Sequence, residues 1–335
     1  MKNNRRLALY AFGHFLIDFS CAFLLYRFVF DAPGRSEILL VYNFCAFALQ
    51  MPFGLLADRF GRCRVFAALG CAFTAAAWLF RWAPLPLSVS AGIGNALFHI
   101  GGGLDALGQS GKKAGRLGIF VSPGAFGLYL GAILGRDETP AVAVPIALLA
   151  CAAAVLLFCR EENPAAETPV LRIKPAGLPV LVTVFLVVCL RSGTGFLFRF
   201  GWKSGAWAWI FVLCVALGKA LGGVLYDRFG ARITATASLC AAAVLFLFSS
   251  NPAAGSAAVL CFNMTMPVTL RWAADLLPNA KGFSFGLLTF ALFLGFLPAY
   301  FGLAVSVSGV LYAVLSIASL ALMAPGLRKA GGLSA

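Results

Sequence analysis

The sequence predicts an all-α integral membrane protein of twelve transmembrane helices arranged as two pseudo-symmetric six-helix halves. Three observations predict it. The 335-residue chain is 61% hydrophobic and only 11% charged, with mean hydropathy +0.92, whereas a soluble domain carries about 25% charged residues. Apolar stretches long enough to span a bilayer recur throughout, each near the roughly 20 residues a spanning helix needs. One sequence motif also appears twice, 169 residues apart, at equivalent places in the two halves.

Taken in order, the spans fall near 7–27, 36–57, 65–81, 83–106, 117–135, 140–159, 178–198, 205–226, 233–249, 255–272, 282–300 and 304–324. Polar or Pro/Gly clusters such as "DAPGRSE", "GQSGKKAGR", "GRDETP" and "SSNPAAGS" separate them. The N-terminal "MKNNRR" and the apolar run after it resemble a secretory signal, but the run continues to Tyr26 with no small-residue cleavage site. It reads as a retained first span. The most hydrophilic stretch, "REENPAAETPVLRIKPAG" at 160–177, divides the chain. An N-terminal half at 1–160, a cytoplasmic linker at 161–177 and a C-terminal half at 178–335 follow.

Net charge is +14, which raises the question of a nucleic-acid partner. Alternating the loops between two sides puts 18 of the 26 Lys and Arg residues on one side and six on the other, leaving Arg191 and Lys219 inside spans. This is positive-inside orientation: the charge sets topology, both termini are expected in the cytoplasm, and no nucleic acid is implied. The surroundings are membrane lipid. The ten cysteines are scattered singly, with no CxxC and no zinc-finger spacing, and read as small packing residues. No G-x-x-x-x-G-K-[ST] loop exists to use ATP, and no nucleophile–base pattern suggests an enzyme. No cofactor is expected.

The repeated motif is "GLLADRFGRCR" at Gly54 and "GVLYDRFGARI" at Gly223, sharing G-x-L-x-D-R-F-G. Each copy joins the second and third spans of its half. Two halves repeating in parallel are a known transporter design. The copies resemble the loop motif of the major facilitator superfamily, and the helix count, midpoint linker and repeat extend the resemblance over the whole chain. "HFLID" in the first span, "GNALFH" in the fourth and "RSGTG" in the seventh resemble the fosmidomycin-resistance-like group within it. The resemblance implies alternating access with the first, fourth, seventh and tenth spans lining a central cavity. It also implies a gating role for Gly54, Asp58, Arg59, Gly61, Arg62, Gly223, Asp227, Arg228 and Gly230. Asp58 and Asp227 are each expected against the positive N-terminus of a helix from the other half.

Ionisable groups inside a bilayer usually mark a cavity or a partner. His14 and Asp18 stand four residues apart, on one helical face. A histidine titrates near neutral pH, and a carboxylate in low dielectric can hold a proton there. Proton coupling is their functional reading; a static pair fixing helix packing is the structural one. His99, Arg191, Lys219, Asn263 and Thr265 are candidate substrate contacts, with Arg191 offering a planar fork of donors for a carboxylate or phosphate. Lys219 can instead snorkel towards the interface. Trp202, Trp207 and Trp209 read as an interfacial belt. "SPGAFGLYLGAILG" at 122–135 resembles the Gly/Pro pattern of antiporters, and small-residue packing explains it equally. His14, Asp18 and His99 could form a metal site, but no fourth ligand is evident, so direct metal ligation is the weaker reading and no metal is assigned.

The sequence therefore points to a proton-coupled secondary transporter of the cytoplasmic membrane, expected as a monomer. It would move a small anionic or amphipathic organic solute, with export favoured. An importer of a nutrient anion or metal complex, and a non-transporting receptor or assembly component on the same fold, are the alternatives.

Overall fold

The computed structural model describes residues 2–137, 139–159, 173–301 and 308–330. The described chain is helical, with no strand among the described residues. Its elements are α1 (Lys2–Phe28), α2 (Arg35–Phe60, with a π-helical stretch at Phe44–Ala48), α3 (Cys63–Phe80) and α4 (Pro84–Gly108). Next come α5 (Gly115–Val121), α6 (Gly124–Arg136), α7 (Ala143–Phe158) and α8 (Leu178–Leu197). The last four are α9 (Gly205–Leu247), α10 (Pro252–Leu276), α11 (Lys281–Tyr300) and α12 (Gly309–Ala330).

Each expected span lands on one of these helical segments, although the twelfth begins at Gly309 rather than 304, and 304–307 lie outside the described residues. Among the described residues, nine helices are long and apolar enough to cross a bilayer. α9 runs for 43 residues and contains two of the expected spans, broken by non-helical backbone at Gly230. The two remaining expected spans, the fourth and sixth, fall on α4 and the 16-residue α7, which are not among the nine. The linker expected at 161–177 lies outside the described residues as far as 172; Pro175–Gly177 then forms a 3₁₀ turn into α8.

The chain packs as two compact units that do not coincide with the halves at 1–160 and 178–335. One comprises residues 1–109, 123–171 and 279–290; the other comprises 110–122, 172–278 and 291–335. Most of each sequence half stays together. Two short segments exchange: 110–122, which carries α5, packs with the second unit, and the first turns of α11 pack with the first. The physical reason lies in the repeated motif, described below.

Within the first unit, α4 is the most enclosed helix. Leu87, Ala91, Ala96, Phe98 and Ile100 have no solvent exposure. In lipid there is little hydrophobic drive between helices, so close backbone approach matters more. The α6 stripe of Gly124, Gly127, Gly131 and Gly135 supplies it against α1. A Cβ at Gly127 would sit 2.4 Å from the Phe15 carbonyl oxygen, and one at Gly131 would sit 2.3 Å from that of Phe19. This is small-residue packing. In the second unit, Phe198, Phe246, Phe262 and Tyr312 form an aromatic cluster, with ring centroids 5.2–6.0 Å apart. Large apolar side chains elsewhere face outward, as at Leu79, Val142 and Phe158, where lipid would meet them.

Candidate functional site

The first unit holds a buried polar cluster in otherwise apolar helices. The helical repeat brings His14 and Asp18 to one side of α1, and His14 Nε2 lies 3.1 Å from Asp18 Oδ2. α4 contributes His99, whose Nε2 is 2.9 Å from His14 Nε2 and 3.8 Å from Asp18 Oδ1. The two imidazoles meet edge to face with centroids 4.3 Å apart. His14 and Asp18 are 4% and 6% exposed, so all three groups interact outside bulk water.

Two contacts from Asn95 fix this arrangement. Its side-chain amide donates to Asp18 Oδ1 at 3.1 Å, and its backbone carbonyl oxygen lies 2.8 Å from His99 Nδ1. A carbonyl oxygen only accepts, so Nδ1 of His99 carries the proton and a neutral His99 ring turns a lone pair towards His14. The first turn of α6 closes the cluster. A Cβ on Gly124 would lie 2.3 Å from Asp18 Oδ2 and 2.4 Å from His14 Nε2. Only glycine fits there with the carboxylate and imidazole as they stand.

A second ionic contact of the first unit joins Arg6 of α1 to Asp105 of α4, with Gln109 also donating to the carboxylate. The charged groups are nearly enclosed: the side chains are 12% and 3% exposed. Tyr10, one turn along α1, is fully buried.

In the second unit, Arg191 of α8 is buried at 8% exposure, and its Nη1 donates to Thr269 Oγ1 of α10 at 3.2 Å. A guanidinium has five N–H donors, and a neutral hydroxyl answers one. Lys219 of α9 directs its ammonium to the Val121 carbonyl oxygen at 3.4 Å. Asn263 and Thr265 flank a break in α10 at Met264. Their polar atoms turn back on their own helix, Asn263 Nδ2 to the Val259 carbonyl at 2.8 Å and Thr265 Oγ1 to the Phe262 carbonyl at 3.0 Å. Trp202 stands 6.1 Å from Trp207 and donates to the Ser249 carbonyl.

The repeated motif builds the same joint twice. In the first unit, Asp58 accepts from the backbone N–H groups of Gly282 and Phe283 at 2.7 and 2.8 Å, at the start of α11. In the second, Asp227 accepts from Ala114 and Gly115 at 2.6 and 3.1 Å, at the start of α5. Each carboxylate serves as a helix cap supplied from another part of the chain. The leading glycines allow the approach: a Cβ on Gly54 would meet the Gly282 carbonyl oxygen at 2.0 Å, and one on Gly223 would meet the Ala114 carbonyl oxygen at 2.6 Å. The trailing Gly61 and Gly230 take φ of 64° and 77°, where L side chains are strained. Arg62 precedes α3, and Arg59 and Arg228 are exposed, with the Arg228 guanidinium 5.2 Å from the Phe229 ring centroid. These caps draw 279–290 and 110–122 out of their sequence halves.

Several polar contributors escaped sequence reading. Asp105 and Arg271 stand at the ends of the spans 83–106 and 255–272, and Arg6 just before the first span, where each reads as a group at the membrane boundary. Arg271 is instead 4% exposed, paired with Asp275 and donating to the Gly111 carbonyl. Its i,i+4 spacing from Asp275 was the available signal. For Thr269, Asn95 and Gly124 no signal distinguishes them from ordinary packing residues.

No family model matches the chain, and no curated protein matches it in sequence. Solved structures do match. The E. coli fucose:proton symporter superposes with a TM-score of 0.67 at 15% identity, covering 98% of this chain and 99% of that one. A second structure of that transporter, described as a major facilitator superfamily member in the outward conformation, gives 0.65 at 14% identity over 98% and 99%. This chain has the major facilitator fold. The human organic anion transporter MFSD10 carries the same fold, with a TM-score of 0.67 and 16% identity over 95% of this chain and 99% of that one. On the major facilitator fold, the twelve-span reading and the placement of the repeated motif between successive spans agree with the described helices.

Proposed function

We propose that this chain is a proton-coupled secondary active transporter of the cytoplasmic membrane. It would move a small anionic or amphipathic organic solute by alternating access, with export the favoured direction and both termini in the cytoplasm. The buried His14–Asp18–His99 cluster carries the reading. A bilayer-embedded carboxylate set against two imidazoles, 3.1 Å from His14 and 3.8 Å from His99, is costly unless its charge state is used, and such a cluster can accept and release a proton as its exposure alternates. Arg191 supports an anionic solute: a buried guanidinium whose described hydrogen bond is to one neutral hydroxyl retains donors for a carboxylate or phosphate. The names of the fold's solved examples, a fucose:proton symporter and an organic anion transporter, agree in kind with proton coupling and an anionic solute. Export rests on the resemblance of "HFLID", "GNALFH" and "RSGTG" to the fosmidomycin-resistance-like group.

The two motif joints are assigned to gating. Asp58 and Asp227, with Gly54, Arg59, Gly61, Arg62, Gly223, Arg228 and Gly230, would hold and release helix starts during the cycle. Lys219, Asn263 and Thr265 remain proposed solute contacts that first require their present hydrogen bonds to exchange. A single chain carries every part required, so a monomer is the proposed unit.

The test is flux in proteoliposomes under an imposed pH gradient, across a panel of organic anions. Flux should follow the gradient in the unaltered protein and lose that dependence in Asp18→Asn. Arg191→Gln should weaken anion transport by at least tenfold, since a charge-assisted contact contributes about 1.5–3 kcal/mol. Gradient-independent flux, unchanged in Asp18→Asn, would refute coupling at this site.

A further inference from the structure

We propose that His14, Asp18 and His99 form a binding site for a divalent transition-metal ion of the zinc type, with a fourth coordination position left open. This goes beyond the transport reading and stands on geometry alone. One ligand atom from each of the three residues lies within 4.8 Å of the others. The separations are 2.9 Å between the two Nε2 atoms, 3.1 Å from His14 Nε2 to Asp18 Oδ2 and 3.8 Å from His99 Nε2 to Asp18 Oδ1. A tetrahedral ion with bonds of about 2.0–2.1 Å places its ligand atoms roughly 3.4 Å apart, and the observed separations bracket that value.

The protonation pattern points the same way. The Asn95 carbonyl holds the proton of His99 on Nδ1, which leaves Nε2 as a lone-pair donor aimed into the cluster. The Asp18 carboxylate adds further lone pairs, and His14 Nε2 sits between the two. A cation at the centre would draw on lone pairs of the Asp18 carboxylate, His99 Nε2 and His14 Nε2, the neutral His14 ring then carrying its proton on Nδ1.

The supporting contacts are those that metal sites use. His99 is oriented by a backbone carbonyl behind its coordinating nitrogen, and the carboxylate is oriented by the Asn95 amide at 3.1 Å. Two imidazoles and one carboxylate select zinc, cobalt or nickel over magnesium, which prefers six oxygen ligands. Three protein ligands with one position open is the arrangement that admits water or an exogenous ligand. A dication on one carboxylate leaves a net positive charge in a low-dielectric setting, so an anionic fourth ligand is favoured. The His99 side chain keeps 15% exposure, which leaves an approach to the centre.

The experiment uses the purified full-length protein in detergent, its cysteines alkylated so that thiolates cannot contribute. Zn²⁺ and Mg²⁺ are titrated by calorimetry, and Co²⁺ serves as a spectroscopic probe. One equivalent of Zn²⁺ should bind at least a hundredfold more tightly than Mg²⁺, and Co²⁺ should show the intense visible bands of tetrahedral nitrogen and oxygen coordination. His99→Gln and Asp18→Asn should each weaken Zn²⁺ by at least tenfold, and Asn95→Ala by about tenfold through loss of orientation. X-ray absorption of the unaltered Zn²⁺-loaded protein should report two imidazole ligands, which keeps the test decisive if a variant fails to fold. No Zn²⁺ preference over Mg²⁺, an octahedral Co²⁺ spectrum, or binding undiminished in both variants would overturn the proposal. Binding is read without flux, so failure here leaves proton-coupled transport standing, and loss of coupling leaves this site standing.

Discussion

Removing the Asp58 carboxylate should release the start of α11. Asp58 accepts two backbone N–H bonds, at 2.7 and 2.8 Å, from the first residues of that helix. Charge-assisted hydrogen bonds contribute about 1.5–3 kcal/mol each and a helix-dipole interaction about 0.3–1 kcal/mol. Asp58 is only half-buried, and water can replace part of what is lost, so Asp58→Ala should cost about 3 kcal/mol locally. At 1.4 kcal/mol per factor of ten, that is somewhat over a hundredfold in local opening. Hydrogen–deuterium exchange of the peptide spanning 279–290 reads this directly, because the Gly282 and Phe283 amides are the bonded donors. They should exchange about a hundredfold faster in Asp58→Ala and at an intermediate rate in Asp58→Asn, whose amide oxygen can still accept one bond. Gly54→Ala should give the same acceleration through a different cause, since its Cβ meets the Gly282 backbone at 2.0 Å and no side chain can yield. Unchanged protection at 279–290 in Asp58→Ala would refute the capping argument. Acceleration spread equally over all helices would instead identify global destabilisation.

Two further outcomes follow from the first unit. Asp105→Asn strands the Arg6 guanidinium in a nearly enclosed setting; loss of one partner of a buried pair costs about 3–5 kcal/mol, and thermal unfolding in detergent should drop by several degrees, partly recovered in an Arg6→Met, Asp105→Leu double variant. Gly124→Ala forces a methyl group into the His14–Asp18 contact and should abolish proton-dependent flux, while Gly108→Ala, with open space around it, should leave flux unchanged.

The helices and the motif joints were legible because their signals are local. Apolar length marks a span whatever it packs against, and the resemblance of G-x-L-x-D-R-F-G to the superfamily's loop motif implied the aspartate caps, while the close approach at Gly54 and Gly223 and the positive φ at Gly61 and Gly230 came from the structure. His14 and Asp18 were legible as a pair because i,i+4 spacing on a helix fixes their side. His99 was legible only as a costly polar group; its arrival at 2.9 Å from His14 depends on how α1 and α4 pack, which no periodicity encodes. Asn95 and Gly124 lie in the quoted stretches "GNALFH" and "SPGAFGLYLGAILG", but their contacts with Asp18 were not legible for the same reason, since an asparagine and a glycine in a small-residue run look like packing. Arg271 shows the opposite failure. Side counting places its charge at the membrane boundary, at the end of the span 255–272, whereas the structure encloses it, because Asp275 one turn later neutralises its charge.

The exchange of 110–122 and 279–290 between the compact units bears on how the polypeptide can be cut and rejoined. A fragment ending in the 160–177 region carries α5 but none of the residues around Asp227 that cap it, and the complementary fragment carries α11 without Asp58. Each fragment made alone would leave a bare helix start and an orphaned carboxylate. Made together, they complete one another's missing caps, so reassembly of a severed chain is built into the joints that the two motif copies form.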